Sequence, residues 1–126
     1  MATQQPHIAI KRVYDEAEPT DGTRILVDRL WPRGLSKERA HIDTWLKELA
    51  PSNELRKWFG HEPEKFAEFR RRYEAELRSA EAQAALKQME DRAKQGPVTL
   101  VFAAHDAEHN NAVVLRDQLQ QALKRD

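Results

Sequence analysis

The run Val98-Thr99-Leu100-Val101-Phe102-Ala103-Ala104 constrains this chain more than any other stretch. It is almost unbroken in apolar character and follows the helix-stopping pair Gly96-Pro97. A strand without polar alternation is covered on both faces, which places it in a parallel sheet flanked by other elements. Two more segments read as strands. His7–Tyr14 holds Ile8, Ile10 and Val13, and Arg24–Trp31 holds the solid run Ile25-Leu26-Val27. The Tyr14–Thr23 link is too short for the usual crossover helix, which leaves an antiparallel hairpin open for the first two strands.

The remainder has helical spacing. Ile42, Trp45, Leu46 and Leu49 fall at i, i+3, i+4 and i+7 after Ser36, a natural N-cap. Leu55, Trp58 and Phe59 follow Ser52 and stop at Gly60. Phe66, Phe69, Tyr73 and Leu77 follow Pro63, which suits a first turn. Ala82, Leu86, Met89 and Ala93 lead to Gly96, and Ala112, Leu115, Leu119 and Leu123 mark a last helix from about Glu108 to Leu123. The expectation is an α/β fold over residues 1–126 as one domain: a small, largely parallel three-stranded sheet packed by about five helices. Trp45, Trp58, Phe69, Tyr73, Leu26, Leu100 and Leu115 are expected in one core.

Composition removes several kinds of chemistry. Lys plus Arg and Asp plus Glu both number 21, so the formal net charge is zero. Nucleic-acid binding by bulk charge is therefore disfavoured. There is no cysteine, hence no thiol nucleophile, thiolate metal site or disulfide. No apolar run approaches a membrane span and no secretory core is visible at the start, so a cytoplasmic protein without a membrane partner is expected. The three serines, Ser36, Ser52 and Ser79, sit where helices begin and read as caps. Without a Walker loop or a Gly-x-Gly-x-x-Gly turn, no cofactor is predicted.

Chemistry gathers at two strand ends. The second strand ends in Asp28-Arg29-Leu30-Trp31-Pro32-Arg33-Gly34. Ligands of parallel sheets lie beyond the carboxyl ends of strands, and arginine forks suit phosphate, sulfate or carboxylate. Two readings stand: an internal ion pair of Asp28 with Arg29, Arg33 or Arg12, or an anion site. The third strand leads into His105-Asp106-Ala107-Glu108-His109-Asn110-Asn111, at the positive end of a helix dipole. Asp106 is either an N-cap or leaves room for an anion. Asn110 and Asn111 are either ligands or caps. His105 and His109 have i, i+4 spacing, but no third ligand is evident and no metal is predicted. His61 stands between two helices, as a carbonyl-bonding junction or a catalytic group. Arg70-Arg71-Arg72 is balanced by neighbouring glutamates and reads as a solvated face.

Arg24-Ile25-Leu26-Val27-Asp28-Arg29-Leu30-Trp31-Pro32-Arg33-Gly34 resembles the signature of the YeaO-like bacterial proteins, the short branch of domain of unknown function 488. The resemblance continues through Trp45, Leu49–Ser52, Leu55–His61, Phe69, Tyr73–Leu77, Val98–Val101, Asp106 and His109–Leu115. It implies that two strand ends converge on one pocket. Longer relatives carry a cysteine after the last strand. That cysteine is absent here, so the resemblance brings no thiol chemistry. His105 stands where the family more often has lysine, which weakens a His105–His109 pair further.

The expected site therefore has Asp28, Arg29 and Arg33 on one wall and His109, Asn110 and Asn111 on the other, with Arg12, Trp31 and His61 nearby. If it is catalytic, Asp28, His109 or His61 serves as base while Arg12, Arg29 and Arg33 hold negative charge. If it is not, the same residues bind a small anionic molecule. A third class is a regulatory interaction protein acting through the charged helices of residues 64–95.

Overall fold

The computed structural model describes residues 8–125. His7, expected at the start of the first strand, lies outside them. Among the described residues four strands form one sheet: β1 (Ile8–Arg12), β2 (Thr23–Leu26), β3 (Thr44–Trp45) and β4 (Val98–Phe102). Their order is β1-β4-β2-β3 and every pairing is parallel. β4 is central and all five of its residues are buried, as its apolar run requires.

This arrangement rules out the hairpin. β1 and β2 do not pair; each lies beside β4, in register at Ile8↔Val98 and Thr23↔Val98. The chain returns between them without a helix, through a single 3-10 turn at Pro19–Asp21. Ten residues of extended chain reach roughly 33 Å, ample to pass back along a five-residue strand. Gly22 closes the return at φ 65°, where a Cβ would stand 2.2 Å from the Pro97 carbonyl oxygen. Only glycine fits there.

The sheet also has one more strand than expected. Thr44–Trp45 pairs with Ile25 and Leu26 as an edge strand, where the spacing of Ile42, Trp45, Leu46 and Leu49 had suggested a helix. Ser36 does cap a helix, but that helix is the single turn α1 (Lys37–Ala40), ended by His41 in the left-handed region. Asp43 explains the strand. Its carboxylate accepts from the Arg24 N–H, and its own N–H donates to the Arg24 carbonyl.

The other helices follow their stripes: α2 (Asn53–Phe59), α3 (Phe66–Glu76), α4 (Ala80–Gln95) and α5 (Asn111–Arg125). Ser52 and Ser79 cap α2 and α4 by accepting from Leu55 N and Ala82 N. With α1 there are five α-helices among the described residues, and none is long and apolar enough to cross a membrane.

The expected single core is two cores. On one face Ile25, Val27, Leu100 and Phe102 pack against Phe69, Tyr73, Met89 and Leu115, with Trp58 at the margin. On the other, Leu26, Val101 and Val13 lie under Trp31, Leu35, Ile42 and Trp45. Leu26 and Trp45 belong to this second cluster because strand neighbours alternate faces.

The amino end of the sheet is locked by charge. Arg24, 4% exposed, donates to Asp21 at 2.6 Å and to the carbonyls of Ala40 and His41, while Lys11 reaches Asp21 at 2.9 Å. Burial would raise the Asp21 carboxyl, but Lys11, the Glu18 N–H and Arg24 together hold it below its ordinary value. On α3 the Arg70–Arg72 run is paired: Arg71 and Arg72 with Glu68, and Arg70 with Asp117 of α5.

Candidate functional site

β2 and β4 end at the same edge, and beyond that edge lies a cavity of about 740 Å³. Asp28, Arg29, Trp31, Arg33, His61, His109, Asn110 and Asn111 all line it. The structure thus brings together eight of the nine residues singled out in the sequence.

Arg12 is the exception. Its Nε donates to the Ala104 carbonyl at 2.9 Å and its Nη2 to that of Ala103, and its guanidinium lies over the Tyr14 ring. A guanidinium spent on the carbonyls that follow β4 supports the wall from behind and does not line the cavity.

Asp28 ties the two strand ends together. Its Oδ2 accepts from the Ala103 N–H at 2.8 Å and its Oδ1 from the Asn111 side-chain amide at 3.1 Å. Trp45 donates its indole N–H to the Asp28 carbonyl at 2.7 Å. Burial pushes the Asp28 carboxyl above its ordinary value, against the pull of the Ala103 N–H, Asn111 and the Arg56 charge. The internal ion pair is not found: Asp28 makes no salt bridge with an arginine among the described residues.

Arg29 is held by its own neighbourhood. Its Nε and Nη2 reach the carbonyls of Pro51 and Ala50 at 3.3 and 3.4 Å. α3 fixes that loop in turn. The buried Tyr73 hydroxyl donates to the Leu49 carbonyl, and Glu76 accepts from the Ser52 N–H and Oγ–H at 2.8 and 2.6 Å. Burial, together with the charges of Asp28 and Glu76, keeps the Tyr73 phenol protonated far above its ordinary range. The Arg33 side chain is exposed and makes no hydrogen bond or ion pair among the described residues; only its carbonyl is engaged, by the Tyr14 hydroxyl at 3.0 Å.

On the opposite wall Asn110 is a cap and Asn111 a tie to β2. Asn110, 2% exposed, accepts from the Val113 N–H at the start of α5 and donates to the Asp106 carbonyl. Asn111 donates to the Val27 carbonyl as well as to Asp28. Of the two readings of the helix start the cap is nearer, but the side chain that accepts a helix N–H is Asn110 and not Asp106. Asp106 accepts from the N–H groups of Glu108 and His109, and its Oδ2 lies 2.9 Å from His109 Nδ1. These contacts hold the Asp106 carboxyl below its ordinary value, the Glu108 N–H first. The His109 ring stands edge-on to Phe66. His105 turns its Nδ1 toward Arg12 at 3.4 Å, so the two histidines serve different partners.

Two cations escaped the sequence reading. Arg56 and Lys57, on successive positions of α2, complete the rim. Their signal was the stretch Leu55-Arg56-Lys57-Trp58-Phe59, in which the apolar stripe turns inward and leaves both cations on the other side.

His61 follows Gly60 at the end of α2, and both are left-handed, at φ 58° and 55°. A residue with a Cβ pays about 1 kcal/mol for that conformation. His61→Gly is expected to leave stability unchanged or to raise it by up to ~1 kcal/mol, since glycine's greater freedom in the unfolded chain offsets part of the relief. Urea unfolding measures this. A loss beyond ~1 kcal/mol would mean that the imidazole is a packing element and that the strain is not retained for the cavity.

Residues 7–126 match the family model described as the inactive DUF488-N3 subclade. The chain is 49% identical over 114 residues to the uncharacterized protein YeaO of Escherichia coli K12, covering 90% of this chain and 97% of that one. It is 40% identical over 116 residues to the uncharacterized proteins Mb3100c of Mycobacterium bovis and Rv3073c of Mycobacterium tuberculosis, covering 92% of this chain and 96% of each of those. No solved structure matches it significantly.

Proposed function

The chain belongs to the inactive DUF488-N3 subclade, and from that premise we propose that it is a binding protein whose cavity takes a small anion without transforming it. One observation carries the reading. Four permanent cations, Arg29, Arg33, Arg56 and Lys57, line one cavity of a chain whose net charge is zero. Among the described residues only two carboxylates line the cavity with them, Asp28 and Asp106, and both are engaged by donors of the protein itself. Like charges held together at a low-dielectric wall focus a positive potential and favour an anion there. Arg33 and Lys57 make no hydrogen bond or ion pair among the described residues, so binding need not break one.

Acid–base catalysis is the second reading, and the Asp106–His109 pair with the raised carboxyl of Asp28 favours it. Against it, both Asp28 oxygens already accept hydrogen bonds that tie β2 to β4 and α5. The subclade's description also points away from catalysis.

Thermal unfolding in phosphate and in chloride at matched ionic strength tests the proposal. The midpoint is expected to rise with phosphate concentration, as linkage requires of a ligand that binds only the folded state. Arg33→Gln should remove the phosphate-specific rise while leaving the fold intact, because that side chain is exposed. Equal midpoints in the two salts, unchanged by the substitution, would overturn the anion pocket.

A further inference from the structure

We propose, building on the anion reading, that the ligand is an organic anion with an apolar body the size of one ring, not an inorganic oxyanion. Two large hydrophobic side chains are exposed among the described residues, Leu30 at 64% and Tyr14 at 42%, and both line this cavity. Two exposed apolar side chains that border one concave, apolar-lined wall form a patch of the kind that marks a ligand groove. Trp31, Pro51, Phe59 and Phe69 continue that apolar lining inward, with Phe59 and Phe69 stacked at 4.4 Å. An oxyanion alone would satisfy Arg33 and Lys57 and leave Leu30 and Tyr14 against water. The cavity volume of about 740 Å³ is in the range of pockets that enclose whole organic ligands. The charges place the anionic end: Arg33, Arg56 and Lys57 are exposed, whereas Phe69 is 2% exposed. The charged end stays at the rim, and the ring lies between Leu30 at the mouth and the buried Phe69.

Calorimetry with three probes at one ionic strength tests this: inorganic phosphate, phenyl phosphate and the neutral benzyl alcohol. Phenyl phosphate is expected to bind roughly tenfold or more tightly than phosphate, the gain from burying one ring face. Leu30→Ser should cut that advantage and leave phosphate binding as it was; the exposed position spares the fold. Arg33→Gln should weaken both anions. Equal affinity for phosphate and phenyl phosphate overturns the apolar body but leaves the anion reading standing. Failure of both anions to bind better than chloride overturns the anion reading and this inference with it. Benzyl alcohol binding as tightly as phenyl phosphate, indifferent to Arg33→Gln, overturns the charged end. An unfolding midpoint that depends on protein concentration in the wild type and not in Leu30→Ser would show instead that a second copy covers Leu30.

Discussion

Phe69→Ala is expected to lower the unfolding free energy by about 3–5 kcal/mol, because a fully buried aromatic leaves both its transfer energy and a cavity behind. Phe69 is 2% exposed and sits between the Phe59 ring at 4.4 Å and the Tyr73 ring at 5.5 Å. It also lines the cavity, so the vacated space would open onto an existing hollow. Phe69→Leu, which keeps most of the volume, should cost less than half as much while altering ligand affinity. Denaturant unfolding monitored by tryptophan fluorescence measures both variants. A loss under ~1 kcal/mol for alanine would show that α3 turns another face inward.

Removal of the Asp28 carboxylate has the second large effect. Asp28→Ala leaves the Ala103 N–H and one N–H of the Asn111 amide without an acceptor, at about 1–3 kcal/mol for each orphaned donor and so roughly 2–6 kcal/mol together. The phosphate response should vanish too, since the strand-end loop loses its tie to β4. Asp28→Asn isolates the titration. The folded carboxyl is raised, so as pH climbs from the ordinary carboxylate value through the raised one, the unfolded chain releases its proton first. The folded state binds more protons over that window, and stability due to Asp28 falls with rising pH, then stays level above it. Asp21, whose carboxyl is lowered, acts in the opposite direction in both proteins and cancels in the difference. The wild type is thus expected to lose stability relative to Asp28→Asn across that window; a gain would reverse the sign assigned to burial.

The central strand was readable because burial on both faces leaves no polar alternation, and Val98–Phe102 shows none. The serine caps were readable for a local reason: each accepts a backbone N–H three residues on. β3 was not readable. Trp45 and Leu46 lie on opposite faces of the sheet, as a strand requires, yet with Ile42 and Leu49 they also satisfy a helical spacing. Two residues of edge strand cannot break that tie; the Arg24–Asp43 hydrogen bonds do, and they join residues distant in sequence. The same holds at the site. Position brought Asp28, Arg33 and His109 to one edge, whereas the fate of Arg12 depended on carbonyls some ninety residues away. Arg56 and Lys57 were hidden because an exposed helix face resembles any other until it borders a cavity.

β4 separates β1 from β2, and this orders events during synthesis. A ribosome making this chain completes residues 8–45, and with them three of the four strands, before β4 exists. β1 and β2 then have no common partner, because each hydrogen-bonds to Val98–Phe102 and not to the other. The nascent chain carries two unclosed edges and the exposed stripes of α2, α3 and α4 until translation passes residue 102. Docking of that single strand pairs both edges at once and delivers the Ala103–Asn111 wall to the cavity in the same step. Assembly of the sheet and assembly of the site are one event, with long loops to close first, so folding is slow relative to a helical chain of this length.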